Sequence, residues 1–313
     1  MNRTYAIIGT GAVGALYGAW LARAGFGVHF LARSDYEHIR LHGLTIDSVK
    51  GDFVLSHVNV YADASAMPKC DVVMVTLKTT ANDILPSVLP HVVKDNGVVL
   101  VMQNGLGYEE KAAAIVGPKR VFGVLCFVCA NKAGPGHVKH LDFGHITMGA
   151  YTQTGEPAGI TDAMKALAED FAKANVSVSM APDLVKARWK KLVWNVPYNG
   201  LSVILNAATD ALMKSPHSRD LVKRLMQEVC AGAAACGHPI EQEFVEEMLS
   251  YTDSMIPYET SMKIDYDRRR PMEVDSIFGA PLAAAKKAGL DLPLLSMLYG
   301  ELKFLDEKNL GRG

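Results

Sequence analysis

The sequence is poor in cysteine, with five in 313 residues. That is too few for a disulfide scaffold in a chain of this length. Cys126 and Cys129 spell a lone C-x-x-C in an apolar stretch, residues 121–130, that reads as a buried strand. Residues three apart on a strand point to opposite faces, so the pair would chelate poorly, and no second pair completes a zinc site. Long apolar runs are also missing: none approaches the roughly 18 residues of a membrane-spanning helix. Arg3 before an apolar stretch imitates a signal peptide, but Gly9, Gly11 and Gly14 punctuate that stretch. The formal net charge is -1, and no long basic run is present, which argues against nucleic acid as a partner. The short cluster Arg268 to Arg270 reads as a solvated loop or a local anion site. Asn2-Arg3-Thr4 and Asn175-Val176-Ser177 are glycosylation patterns by spelling only, since the expected location is cytoplasmic.

What the chain does have is apolar residues, 49% of the total, enough for a sizeable core. Its length favours two domains, since single cores rarely grow beyond about 250–300 residues. Residues 4–8, 27–32, 71–77, 98–102 and 121–130 read as strands. Helical stretches stand between them at 12–24, 82–92 and 108–116. This alternation predicts an α/β Rossmann domain with a mostly parallel sheet. Residues 137–141 and 145–149 look like a hairpin, 161–174 like an amphipathic helix and 176–180 like a last strand. Beyond Pro182 only helices are expected, at 184–203, 219–236, 240–255, 276–288 and 294–306. The expected division is therefore 1–180 for an α/β domain and 181–313 for an all-α domain. No Gly/Ser linker separates them, which makes the interdomain cleft the default ligand site.

The first turn reads Gly9-Thr10-Gly11-Ala12-Val13-Gly14, after a strand and at the start of a helix. That context turns a weak G-x-G-x-x-G pattern into a dinucleotide signal. Gly9 permits the tight turn, Gly11 lets a pyrophosphate approach the backbone, and Gly14 lets the helix pack on the strand. The helix N-terminus offers free N–H groups to the phosphates. At the end of the second strand, where NAD enzymes commonly carry an acid, stands Arg33. A guanidinium there suits the 2′-phosphate of NADP, and Ser34 would add a hydrogen bond. Asp35 lies close enough to favour NAD instead, and a solvated surface arginine would look the same. Lys78 and Asn104 follow the next two strands, where a parallel sheet lines its ligand crevice. Taken alone, they are an ordinary lysine and a turn-forming Asn-Gly pair.

Lys191, Asn195 and Asn199 are spaced four apart and form one polar stripe on a helix with strongly apolar surroundings. Buried polar groups need partners, from a ligand or from an internal network. Pro197 within the stretch should kink the helix.

Taken together, Gly9-x-Gly11-x-x-Gly14, Thr76-Leu77-Lys78, Gln103-Asn104-Gly105, Lys191-Leu-x-x-Asn195-x-x-x-Asn199, Thr260-Ser261-Met262-x-x-Asp265 and Arg270-Pro271-Met272-Glu273-Val274-Asp275 resemble the ketopantoate reductase (2-dehydropantoate 2-reductase) family over nearly the whole chain. The resemblance implies NADPH-dependent hydride transfer to the 2-keto carbon of a small 2-keto acid in pantothenate biosynthesis. Lys191 would be the general acid and Asn195 and Asn199 would hold substrate. Ser261 and Glu273 would complete the pocket, Glu273 also on the cofactor side. Lys78 and Asn104 would stand by the nicotinamide and the reacting carbonyl. Asp265 is a further candidate that a structural helix residue would imitate. The family often reads Asn-Pro-Leu-Thr where this chain has Asn199-Gly200-Leu201-Ser202, and Gly-Arg where it has Arg269-Arg270. These differences bear on the substrate rather than the reaction type. A reductase of another small 2-oxo or 3-oxo acid, and a non-catalytic NADP(H)-binding sensor, stay open. A homodimer is one assembly the helical half allows.

Overall fold

The computed structural model describes residues 3–311; Asn2 of the first glycosylation pattern lies outside them. The chain divides into two compact units, residues 1–103 with 108–184, and residues 104–107 with 185–313.

The first unit is an α/β domain around one ten-stranded sheet. Its strands are β1 (Thr4–Ile8), β2 (Gly27–Leu31), β3 (Leu44–Ser48), β4 (Phe53–Leu55), β5 (Asn59–Tyr61), β6 (Cys70–Val75), β7 (Val93–Val101), β8 (Val121–Gly134), β9 (His137–Ala150) and β10 (Val178–Met180). The sheet order is β4-β3-β9-β8-β7-β6-β1-β2-β5, with β10 beside β9. Every pairing is parallel except β3 with β4 and β8 with β9. Its helices are α1 (Ala12–Arg23), α2 (Tyr36–His42), α3 (Leu85–Val92), α4 (Glu109–Val116) and α5 (Asp162–Lys173).

Helices cover both sheet faces, and strand alternation sorts the residues between them. Ile7, Val72 and Met74 join Leu16 and Trp20 of α1 and Phe171 of α5 in one core. Their neighbours Ala6, Ile8, Val73 and Val75 join Leu85 and Leu89 of α3 and Ala112 of α4 in a second.

The stretches expected as a hairpin at 137–141 and 145–149 are one strand, β9, whose antiparallel partner is β8. The apparent turn is a bulge, with Phe143 at φ 62 and Gly144 at φ 108. A bulge and a turn share the same local signal, a residue at positive φ followed by glycine. The real reversal comes at Gly136, φ 61. β3, β4, β5 and α2 fall where no element was expected. Cys126 and Cys129 lie on β8 and form no disulfide.

The second unit is helical: α6 (Leu184–Ile204), α7 (Thr209–Lys214), α8 (Pro216–Ala235), α9 (Phe244–Asp253), α10 (Ser261–Asp267), α11 (Ala280–Lys287) and α12 (Pro293–Asn309), with a π-helical turn at Asp275–Gly279. α6 continues past Pro197 without a break in the helix. Its core joins Trp189, Leu192, Val193 and Val196 of α6 to Val222 and Met226 of α8 and Leu295 and Leu298 of α12. The α12 N-terminus is capped from α8: both Glu228 carboxylate oxygens accept, from Leu294 N–H at 3.0 Å and Leu295 N–H at 2.9 Å. No helix among the described residues is long and apolar enough to cross a membrane.

Candidate active site

The parallel register aligns the C-terminal ends of four strands: Ile8 pairs with Leu31 and with Val75, and Val75 with Val101. Gly9, Arg33, Lys78 and Gln103 therefore follow the same sheet edge. β1 lies between β2 and β6, so the crossovers leave it in opposite directions. Such a switch point is where open α/β sheets bind ligands.

The three glycines of the first turn do separate jobs. Gly9 has φ 107, a conformation that disfavours any side chain. A Cβ on Gly14 would run into the Gly9 carbonyl and the Thr76 hydroxyl, so glycine there allows α1 to sit against β1. A Cβ on Gly11 would meet no protein atom within 4 Å. Nothing inside the protein demands glycine at that position, as expected of a cradle for an incoming group. Gly11 is the α1 N-cap; no side chain caps that terminus and no acid stands in its first turn. Uncapped N–H groups on a helix dipole suit a pyrophosphate, so this turn fits a dinucleotide. Thr10, Ala12 and Val13 are half-buried around it. The Thr76 hydroxyl fastens the turn from β6, 2.6 Å from the Gly9 carbonyl and 3.1 Å from that of Ile8.

Arg33 is exposed, and among the described residues its guanidinium has no ion-pair partner. Asp35 is only 3% exposed. Lys132 Nζ lies 2.5 Å from its Oδ2, Gly136 N–H donates to the same oxygen at 3.0 Å, and the Ser34 hydroxyl donates to Oδ1 at 3.0 Å. Burial alone would raise this carboxyl, but Lys132 and the other donors hold it below the usual range. Asp35 is thus committed to the β8–β9 hairpin and is not placed to receive a ribose hydroxyl. The Ser34 hydroxyl, expected to reach a phosphate, donates inward instead.

Lys78 is exposed at the start of a short 3-10 segment, Thr79–Ile84. Its loop is braced by a buried amide pair that the sequence did not reveal. Gln103 Nε2 donates to the Leu77 carbonyl at 2.7 Å and to Asn82 Oδ1 at 2.6 Å, and Asn82 Nδ2 returns a bond at 3.0 Å.

In the helical unit, Lys191 is half-buried on α6, while Asn195 and Asn199 are 7% and 3% exposed. The two asparagines differ in what they do. Asn199 Nδ2 donates to the Asn195 carbonyl at 2.9 Å, and its Oδ1 accepts from Met262 N–H at 3.4 Å. Ser202 extends this link, with its hydroxyl 2.8 Å from that of Thr260, the N-cap of α10. The Asn195 amide, in contrast, has no hydrogen-bond partner among the described residues. An amide left open in this way can take its hydrogen bonds from a bound ligand.

Ser261 is exposed at the start of α10. Asp265, 3% exposed, pairs with Arg270 at 2.9 Å. Glu273 is half-buried just before the π-helical turn. The 104–107 loop packs on that turn: Leu106 N–H donates to the Ser276 carbonyl at 3.3 Å, and a Cβ on Gly105 would collide with Ser276 backbone. The loop that begins at Asn104 is thus fastened to the turn that follows Glu273.

Known proteins match this chain over nearly its whole length. The family profile described as ketopantoate reductase PanE/ApbA matches residues 5–153, and that of its C-terminal part residues 183–306. A 2-dehydropantoate 2-reductase of Nostoc sp. (strain PCC 7120) is 53% identical, over 98% of this chain and 97% of the relative. The crystal structure of 2-dehydropantoate 2-reductase from Geobacter metallireducens GS-15 superposes with a TM-score of 0.92 at 40% identity, covering 97% of this chain and 99% of that one. The Methylococcus capsulatus structure of the same name gives 0.88 at 31%, covering 98% and 97%.

Proposed function

The chain belongs to the ketopantoate reductase family, and we propose that it reduces 2-dehydropantoate to pantoate with NADPH, as a step of pantothenate biosynthesis. In this reading the first unit is the NADP-binding domain and the helical unit supplies the substrate and catalytic groups. The observation that carries it is the Asn195 amide, 7% exposed and without a hydrogen-bond partner among the described residues, one turn along α6 from Lys191.

Gly9, Thr10, Gly11, Ala12, Val13 and Gly14 hold the dinucleotide phosphates on the α1 N-terminus. Arg33, with Asp35 turned inward, receives the 2′-phosphate. When bound, NADPH supplies the hydride that the 2-keto carbon accepts. Negative charge then grows on the carbonyl oxygen. The Lys191 ammonium stabilises that charge and delivers the proton. The ammonium form carries the proton that a general acid must give. Asn195 orients the keto acid by donating and accepting. Asn199 keeps Asn195 and the Ser261 end of α10 in register. Ser261 donates to the substrate carboxylate, and Glu273 accepts from a hydroxyl at the other end, since two carboxylates repel. Lys78 and Asn104 stand by the nicotinamide and the reacting carbonyl.

The test is to mix protein, NADPH and ketopantoate and follow the absorbance of the reduced nicotinamide. Ketopantoate should outrun every other acid in a panel of 2-oxo and 3-oxo acids. Faster turnover of another acid reassigns the substrate. Tight NADPH binding without turnover of any acid makes the protein a sensor.

A further inference from the structure

We propose that Lys132 sets the preference for the phosphorylated dinucleotide by holding the Asp35 carboxylate inside the protein. The inference rests on the dinucleotide reading above and adds the residue that makes it selective.

Two opposed signals follow β2. Arg33 favours a 2′-phosphate, and an acid two residues later favours a ribose hydroxyl. The structure resolves the conflict by geometry. Asp35 carries both carboxylate oxygens inward, onto Lys132 Nζ, the Gly136 N–H and the Ser34 hydroxyl. The donors come from a well-fixed element. β8 and β9 pair along most of their length, and Thr45 N–H donates to the Gly136 carbonyl at 2.8 Å. A Cβ on Gly136 would press on the His38 ring and the Gly43 carbonyl, so the hairpin tip sits on α2. Lys132 is the only cation that forms an ion pair with Asp35 among the described residues. Without it, an anionic carboxylate beside Arg33 has two outlets. It turns outward to face the dinucleotide, or it takes the Arg33 guanidinium for itself. Either outcome opposes a phosphate dianion and leaves a ribose hydroxyl unaffected or better held.

The test is Lys132→Met, which keeps the aliphatic stem and removes the charge. NADPH and NADH are titrated separately by calorimetry without substrate, and a thermal melt checks folding. The expected result is a fall of about tenfold or more in the NADPH over NADH preference, the scale of one unscreened charge beside a phosphate. Adding Asp35→Asn to Lys132→Met should restore most of the preference, and Lys132→Arg should keep it. Equal weakening for both dinucleotides overturns the proposal in favour of a purely structural tie. Lost preference that Asp35→Asn does not restore overturns it too, because Lys132 would then touch the phosphate itself. Should Lys132→Met fail to fold, Lys132→Gln and Asp35→Asn are read by the same ratio. A wild-type protein that binds neither dinucleotide defeats the dinucleotide reading, and this inference with it.

Discussion

Asn199 donates its side-chain amide to the backbone carbonyl of Asn195, 2.9 Å away, while the Asn195 side chain has no partner among the described residues. Two like residues one helical turn apart therefore differ: one is engaged internally, and the other keeps its amide open among the described residues. Asn199→Ala should destabilise the protein by about 1–3 kcal/mol through lost and stranded polar groups. Asn195→Ala should change stability by less than about 0.5 kcal/mol and lower kcat/KM for the keto acid at least about tenfold. Denaturant melts and steady-state kinetics on both variants read this split.

The glycine turn predicts a second contrast. Gly14→Ala forces a methyl against the Gly9 carbonyl and the Thr76 hydroxyl and should cost about 1–3 kcal/mol of stability. Gly11→Ala meets open space and should cost less than about 1 kcal/mol. It should still weaken NADPH binding, measured by calorimetric titration. Equal stability losses in the two variants would contradict the division of labour.

Lys191→Ala should lower kcat by about two to four orders of magnitude, the usual yield of a positioned acid. NADPH affinity should stay within about twofold, because the phosphate-binding groups lie elsewhere. A variant retaining near-normal turnover removes Lys191 from the chemistry.

Asp71 provides a pH test of the sheet. Burial would raise its carboxyl, but Lys94 at 2.8 Å and the Thr4 N–H and hydroxyl bring it down to about 2. A carboxylate depressed by folding stabilises above its unfolded value, near 3.9, and loses that contribution as pH falls through the folded one. The Tm difference between wild type and Asp71→Asn should therefore be full at pH 6 and shrink between about pH 4 and pH 2. A gap that is constant over this range would mean the carboxylate charge contributes nothing.

Much of the dinucleotide half was legible in the sequence because its cause is local. Gly9, Gly11 and Gly14 act through the few atoms around each Cα, and the strands before Arg33 and Lys78 are mostly apolar, broken only by His29 and Asp71. What escaped depends on partners distant in sequence. Asp35 reads as a ribose acceptor until Lys132 and Gly136 are seen on it, and neither residue type signals that role. Asn82 looks like a loop residue until Gln103 pairs with it. β3 reads poorly as a strand because Thr45, Asp47 and Ser48 leave it only two apolar residues, Leu44 and Ile46. α7 and α10, at six and seven residues, are too short to display a helical period. The Lys191, Asn195 and Asn199 stripe was visible as spacing, yet spacing could not say which asparagine was already satisfied.

The pairing of β3 with β9 has a consequence for the newborn protein. β1, β2, β5 and β6 can assemble soon after they leave the ribosome, because their neighbours are made close together. β3 and β4 leave early as well but have no edge to join until His137–Ala150 has been synthesised. Until then this ribbon stays loose on the nascent chain, with Leu44 and Ile46 open to water or to a chaperone, and late docking of such distant segments is where slow folding and misassembly concentrate.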